Sequence, residues 1–346
     1  MVFNEFFNHY SDINTKKSQV ALEKELKTFT NQVKSFIIEE GISFNELTND
    51  ALDKLFNSEE KIDKFFKTKL TSSNKCSIHL FQTTRRYLTA LLLWFKSNNL
   101  CDINDNVIKF TKDYNYNNIL TADFFASYFK NLNDVIDFID LVGKTQFKEA
   151  RKINKRVDIY EPSRDLLAVK SLCILLWYGF NLEEISNIKK SDLKSSNDYY
   201  YVEYNNKRIK IPYSQFKILS NLRDSTGEHS ISRPINFARY MDGDTLFRKK
   251  HDFITGETTK HRMKSLSHTI TGFNKIAIKL NAPKLLNAKN LKVNSYFVTA
   301  YVNISKFDKA SVTKYFYDNF HTATTAYDYV LQFMQWVKVF YNIEIK

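Results

Sequence analysis

The residues of this chain best suited to chemistry are cations, and they are gathered into clusters. Between Lys144 and Arg156 six basic residues, Lys144, Lys148, Arg151, Lys152, Lys155 and Arg156, stand against the single acid Glu149. A second set, Lys75, His79, Gln82, Thr83, Arg85 and Arg86, mixes cations with an amide and a hydroxyl on one short stretch. Lys207 and Arg208 make a third. Arg248, Lys249 and Arg262 make a fourth, in a polar region that also holds Lys250, Lys264, His251, His261 and His268. Lysine meets a phosphate as a point charge and arginine as a planar fork, while Gln and Thr can read base edges. The sets therefore suit a phosphate-rich polyanion. A plainer reading stands beside this one, because adjacent arginines on a solvated helix are ordinary surface charge and the 144–156 cluster also suits an exposed connector.

Other chemistries lack their residues. Cys76, Cys101 and Cys173 are odd in number and have no Cys-x-x-Cys spacing, which excludes a disulfide framework or a cysteine zinc site and implies a reducing compartment. The histidines show no His-Glu-x-x-His spacing, and there is no P-loop, nucleophile elbow, dinucleotide fingerprint or EF-hand loop. No metal or cofactor is expected.

The elements that must position the cations are mostly helices. The 346 residues suffice for two domains, and 51 Lys+Arg against 38 Asp+Glu leave a net +13 that attracts polyanions. Only 7 Gly and 4 Pro are present, too few for a many-stranded barrel or Gly-rich nucleotide loops. Helical spacing of apolar residues runs over 18–39, over 44–70 with a break near Asn57-Ser58, and from about Ser77 to Phe95. The Asn/Asp-rich stretch Cys101 to Asn118 reads as a linker, so the expected domains are 1–105 and 119–346 joined by 106–118. A helix is expected from Leu120 through Ile139, and an apolar one from Asp165 to Tyr178 closed by Gly179. Two β-prone runs, Tyr199 to Tyr204 and Lys207 to Pro212, flank Asn205-Asn206 and read as a hairpin with Lys207 and Arg208 at its tip. Thr226 to Thr259 reads as irregular. Late helices are expected at 264–280, 289–302, 309–319 and 325–341. The N-terminus has no signal-peptide pattern and no apolar run reaches the roughly 20 residues of a membrane span, so no membrane association is expected.

This order of elements resembles the tyrosine recombinases, or phage integrase family, over roughly residues 75 to 335. Gln82 to Leu91 looks like the central helix of the family's core-binding domain, and Leu172 to Leu193 like the segment carrying its first catalytic arginine. Lys289 to Val302 with Phe320 to Tyr329 looks like the stretch from the His-x-x-Arg box to the nucleophilic tyrosine. The resemblance implies a mainly α, two-domain fold, with a helical core-binding-like domain and a helical catalytic-like domain holding a small β-hairpin or sheet.

The chain departs from the family where the chemistry is densest. The family's Gly-x-Arg-x-x-Glu reads Gly179-Phe180-Asn181-Leu182-Glu183-Glu184 here, so Asn181 stands for the arginine while Glu184 remains. The His-x-x-Arg box falls on Lys289 and Lys292. His321 or Phe320 occupies the His/Trp position, Tyr329 that of the nucleophile with Tyr327 as a near rival, and Lys207 or Arg208 that of the hairpin lysine. Two arginines would clamp the phosphodiester as charge builds in the transition state, and such an arginine is worth on the order of 10³ to 10⁵ in rate. Asn and Lys do not replace that fork, so the expected site binds phosphate without cleaving it. Tyr329, in a helix that also holds Tyr327, Phe333, Trp336 and Phe340, suits a core or docking role better than a nucleophile's.

Similar departures occur in the integrase-like master repressors of SPbeta-type phages, and heavy use of Lys, Asn, Ile and Phe suits AT-rich coding. The implied function is a phage or mobile-element repressor, catalytically inactive, that binds operator sites on double-stranded DNA. It would work in the bacterial cytoplasm at the nucleoid, with self-association through the C-terminal helix and a regulatory protein or peptide signal as further partners. Two alternatives stand: a divergent active recombinase using Tyr329 with Lys292 neutralising the phosphate, and a basic helical module for an acidic protein partner.

Overall fold

The structure is a computed structural model that describes residues 5–6, 8–10, 19–43, 47–71, 77–153, 166–196, 199–229, 237–248, 250–252, 262–320 and 322–345. The chain is mainly α-helical with small antiparallel sheets and divides into two compact units, 1–125 with 308–346, and 126–307.

In the first unit, α1 (Gln19–Glu39) buries Leu22, Leu26, Phe29, Val33 and Phe36, spaced by three or four residues along one face. The expected break at Asn57-Ser58 separates α2 (Asn49–Phe56) from α3 (Glu59–Thr71). Ser77 caps α4 (Ile78–Ser97) by accepting from the Leu80 N–H at 3.2 Å. Phe81, Tyr87, Leu88, Leu91, Leu92 and Phe95 of α4 are buried.

The 106–118 stretch is not a linker. It forms α5 (Asp105–Asp113) and a 3₁₀ turn (Tyr116–Asn118), with Tyr114 stacked on Phe66 at 4.4 Å and Tyr116 against Phe81 at 5.3 Å. The Asn residues that look like loop composition are caps: Asn104 accepts from the Asn106 N–H and Asn115 from the Asn117 N–H. The C-terminal helices α12 (Lys309–Asn319) and α13 (Ala323–Tyr341) join this unit, whereas the expectation assigned them to the second domain. Asp328 fixes α13. Its buried carboxylate accepts from the Ile78 N–H at the start of α4 (3.2 Å), the Tyr116 hydroxyl (3.0 Å) and the Gln332 amide (2.9 Å).

In the second unit, the helix expected from Leu120 begins at Leu132 as α6 (Leu132–Ile153), where Asn131 accepts from the Asp134 N–H. Phe124, Phe125, Tyr128 and Phe129, which precede it, are buried in a segment of turns rather than in a helix. Every residue of α7 (Leu167–Trp177) is buried, so it is the core's axis, and its Lys170 is neutralised by Asp140 at 2.5 Å. After it come α8 (Leu182–Asn187), β1 (Leu193–Ser196), β2 (Tyr199–Tyr204), β3 (Lys207–Ile211) and α9 (Tyr213–Asp224). The hairpin turn is as expected: Asn205 and Asn206 both take positive φ, 46° and 60°, the mirror-image turn that matches strand twist. The region read as irregular carries a second sheet, β4 (Gly227–His229), β5 (Phe237–Tyr240) and β6 (Lys250–Asp252). α10 (Arg262–Lys279) and α11 (Ala288–Asn303) complete the unit.

Candidate nucleic-acid interface

In the second unit Glu184 joins two of the expected site residues, Asn181 and Lys207. Its carboxylate, 18% exposed, pairs with Lys207 reaching down from the hairpin tip, and accepts from the Asn181 N–H at 2.8 Å. Burial pushes the Glu184 pKa up. The Lys207 and Asn181 hydrogen bonds outweigh that and, with the field of Lys292, hold it below the ordinary 4.5, so the group stays ionised. Lys207 also lies 6.0 Å from the Phe180 ring centroid. Lys207 thus bonds the carboxylate directly, while Lys292, on a separate element, acts on it through its field; the three groups together carry a net charge of +1. Lys289 adds an exposed cation in the first turn of α11.

Asn181 has a different occupation. Its side-chain oxygen accepts from the Glu184 N–H at 2.8 Å while Glu184 accepts from the Asn181 N–H, a reciprocal capping box that starts α8. The Asn-x-x-Glu spacing is itself the sequence signal for that cap.

Other expected contacts divide into exposed and consumed. On α4, His79, Gln82 and Arg86 are exposed at spacings of three and four, one stripe of the helix. Thr83 is buried, and Arg85 donates to the Tyr114 carbonyl at 2.9 Å, so neither belongs to an open face. Arg248 is likewise taken: its Nη2 donates to the carbonyls of Leu222 (3.0 Å), Arg223 (3.2 Å) and Ser225 (2.7 Å), closing the C-terminus of α9, with Tyr240 stacked 4.6 Å away. Burial lowers its pKa. On α6, Lys144 and Lys148 are exposed, and Arg151 follows at helical spacing. Lys152, also exposed, pairs with Glu149 at 2.7 Å. Lys75, Lys155, Arg156, Lys249 and His321 lie outside the described residues, as do the side chains of Arg151 and Arg262.

Lys207 and Arg208 part company, because successive strand residues face opposite ways. Arg208 is on the other side of the sheet, 3.9 Å over the Tyr201 ring. Tyr329 belongs to the first unit, edge-on to Phe320 at 4.8 Å and to Phe316 at 6.3 Å, and is half-buried. Tyr327 is exposed. Sequence reading missed Asp328, the carboxylate that seats the helix carrying both tyrosines.

Among the described residues no three metal-ligating side chains cluster, and no helix is long and apolar enough to cross a membrane. No family model and no curated protein matches the chain. Among solved structures it is similar to a crystal structure of XerA recombinase, 14% identical over 95% of this chain and 93% of that one, with a TM-score of 0.29. A superposition that loose leaves the function to be argued from the chain's own residues.

Proposed function

We propose that this chain is a sequence-specific double-stranded DNA-binding protein, a repressor of phage or mobile-element origin, that holds phosphate without cutting it. The observation that carries the reading is the Glu184–Lys207 ion pair, within the field of Lys292 and beside a capped Asn181. Lys207 and Lys292, with Lys289 three residues before Lys292, supply charge to a phosphate, and charge suffices for binding. Cleavage needs more. Negative charge that develops on the non-bridging oxygens calls for planar donors in a fixed fork, and the side chain standing for the first of them is occupied by a helix cap. The exposed stripe His79, Gln82 and Arg86 adds phosphate and base-edge donors in the first unit. Lys144 and Lys148 extend the cationic surface of the second.

The test is duplex binding against salt, followed by a nicked suicide substrate. Affinity is expected to fall with a log–log slope of about 0.9 per phosphate contact, with no covalent adduct formed. Salt-insensitive or absent binding overturns the DNA reading. An adduct that disappears in Tyr329→Phe overturns the inactive one in favour of a working recombinase.

A further inference from the structure

The β1–β2–β3 sheet has a second charged face, which the cluster at Glu184 does not use. Its inner face buries Leu193, Val202 and Ile211, with Tyr200, Tyr204 and Ile209 partly buried beside them. Pleat alternation then puts Lys194, Tyr199, Tyr201, Glu203, Arg208 and Lys210 together on the outer face.

These six side chains meet along diagonals of the ladder. Lys194 is opposite Tyr201 in register but reaches Glu203, at 2.9 Å. Arg208 is opposite Glu203 but lies over Tyr201, at 3.9 Å. Lys210 is opposite Tyr201 but lies over Tyr199, at 3.8 Å. Lys194 holds the Glu203 carboxyl below its ordinary pKa, so one acid stays ionised among three cations and the face carries +2. Tyr199 is 54% exposed, and Arg208 and Lys210 are exposed too. Neither of these two cations donates a hydrogen bond to a protein acceptor among the described residues. A guanidinium held over a ring by its carbon still has N–H donors to offer, and an arginine fork can take a phosphate bidentately. Arg208 and Lys210 stand two residues apart on one strand, about 6.8 Å, enough to engage separate phosphates.

We propose that this outer face binds the phosphate backbone of a second DNA duplex, so that one protein molecule bridges two DNA segments from opposite sides of one sheet. The inference rests on the DNA-binding reading above. Charge complementarity selects a polyanion, and each tyrosine ring already carries a cation, which favours backbone contact over stacking of single-stranded bases. For a regulator, the consequence is a loop closed between distant sites without any contact between protein copies.

A sandwich assay tests it. Sheared AT-rich genomic duplex is tethered to beads and saturated with protein, washed, and offered the same duplex carrying a fluorophore. The wild type should capture the labelled duplex. Exchanging the exposed cations, R208Q with K210Q, should leave binding to the tethered duplex within about twofold and cut capture by about tenfold, as expected when two phosphate contacts are lost. Normal tethering with no capture by the wild type overturns the bridge, and so does capture that survives R208Q with K210Q, as it would through self-association. Loss of tethering in the wild type is a different result: it removes the DNA reading itself, and the bridge with it.

Discussion

Arg85–Arg86 on α4 and Lys207–Arg208 on β3 are both adjacent cations, and the two backbones set them to different uses. Neighbours on a helix diverge by about 100°, which turns Arg85 onto the Tyr114 carbonyl and leaves Arg86 at the surface, 3.4 Å from Glu25. Neighbours on a strand diverge by 180°, so Lys207 reaches Glu184 on one side of the sheet while Arg208 lies over Tyr201 on the other. A basic pair in sequence therefore says little about function until its backbone is known. The helix spends one cation on structure. The strand keeps both near solvent, where they can serve two separate faces.

Arg248 is the extreme of the structural use, and replacing it gives the largest expected effect. Arg248→Ala leaves three carbonyls at the end of α9 without their donor and should cost about 3 kcal/mol in chemical denaturation. Arg85→Ala removes one such bond and should cost about 1.5 kcal/mol, with duplex affinity unchanged. Arg86→Ala should reverse that pattern: under about 0.5 kcal/mol of stability, since its ion pair is exposed, and weaker DNA binding with a shallower salt slope. Equal stability losses for Arg85→Ala and Arg86→Ala would break the contrast between them.

The legible parts of the fold are those that local chemistry decides. The Asn205-Asn206 turn, the break at Asn57-Ser58 and the largely apolar α7 follow from turn preference and burial pattern. The 106–118 stretch misled because Asn serves both loops and helix caps, and only the buried Tyr114 and Tyr116 decide between them. Arg248 was illegible as a structural residue because its acceptors lie 23 to 26 positions away. Asp328 was harder still, since its partners Ile78 and Tyr116 are more than 200 positions away. At the candidate site the Glu184–Lys207 pair joins residues 23 positions apart, a contact that no local spacing encodes. The cap at Asn181 is local, and the Asn-x-x-Glu spacing does signal it.

Glu184 has two roles, closing the α8 cap and pairing with Lys207, and two substitutions pull them apart. Asn181→Ala removes a side chain that accepts from the Glu184 N–H and should cost about 1 kcal/mol, measured by denaturation, with little change in the charge offered to DNA. Glu184→Gln does the opposite. Glutamine at the third helical position still completes a capping box, so α8 should keep its start while Lys207 loses its anionic partner. The cluster then gains one net positive charge. Duplex binding should tighten at low salt, with the log–log salt slope steeper by about 0.9 if the released lysine takes one more phosphate.

Acid should imitate that substitution in the wild type. Because folding lowers the Glu184 pKa, the ion pair's contribution to stability is complete above 4.5 and is lost as pH falls through the lower folded value. Protonation there frees Lys207 just as Gln does, so the wild type should lose stability and approach the affinity of Glu184→Gln, whose own profile lacks this one carboxylate's contribution. A wild-type affinity that follows the variant's at every pH would mean that Lys207 never reaches the phosphate, and the grip would have to be sought in Lys292 and Lys289 alone.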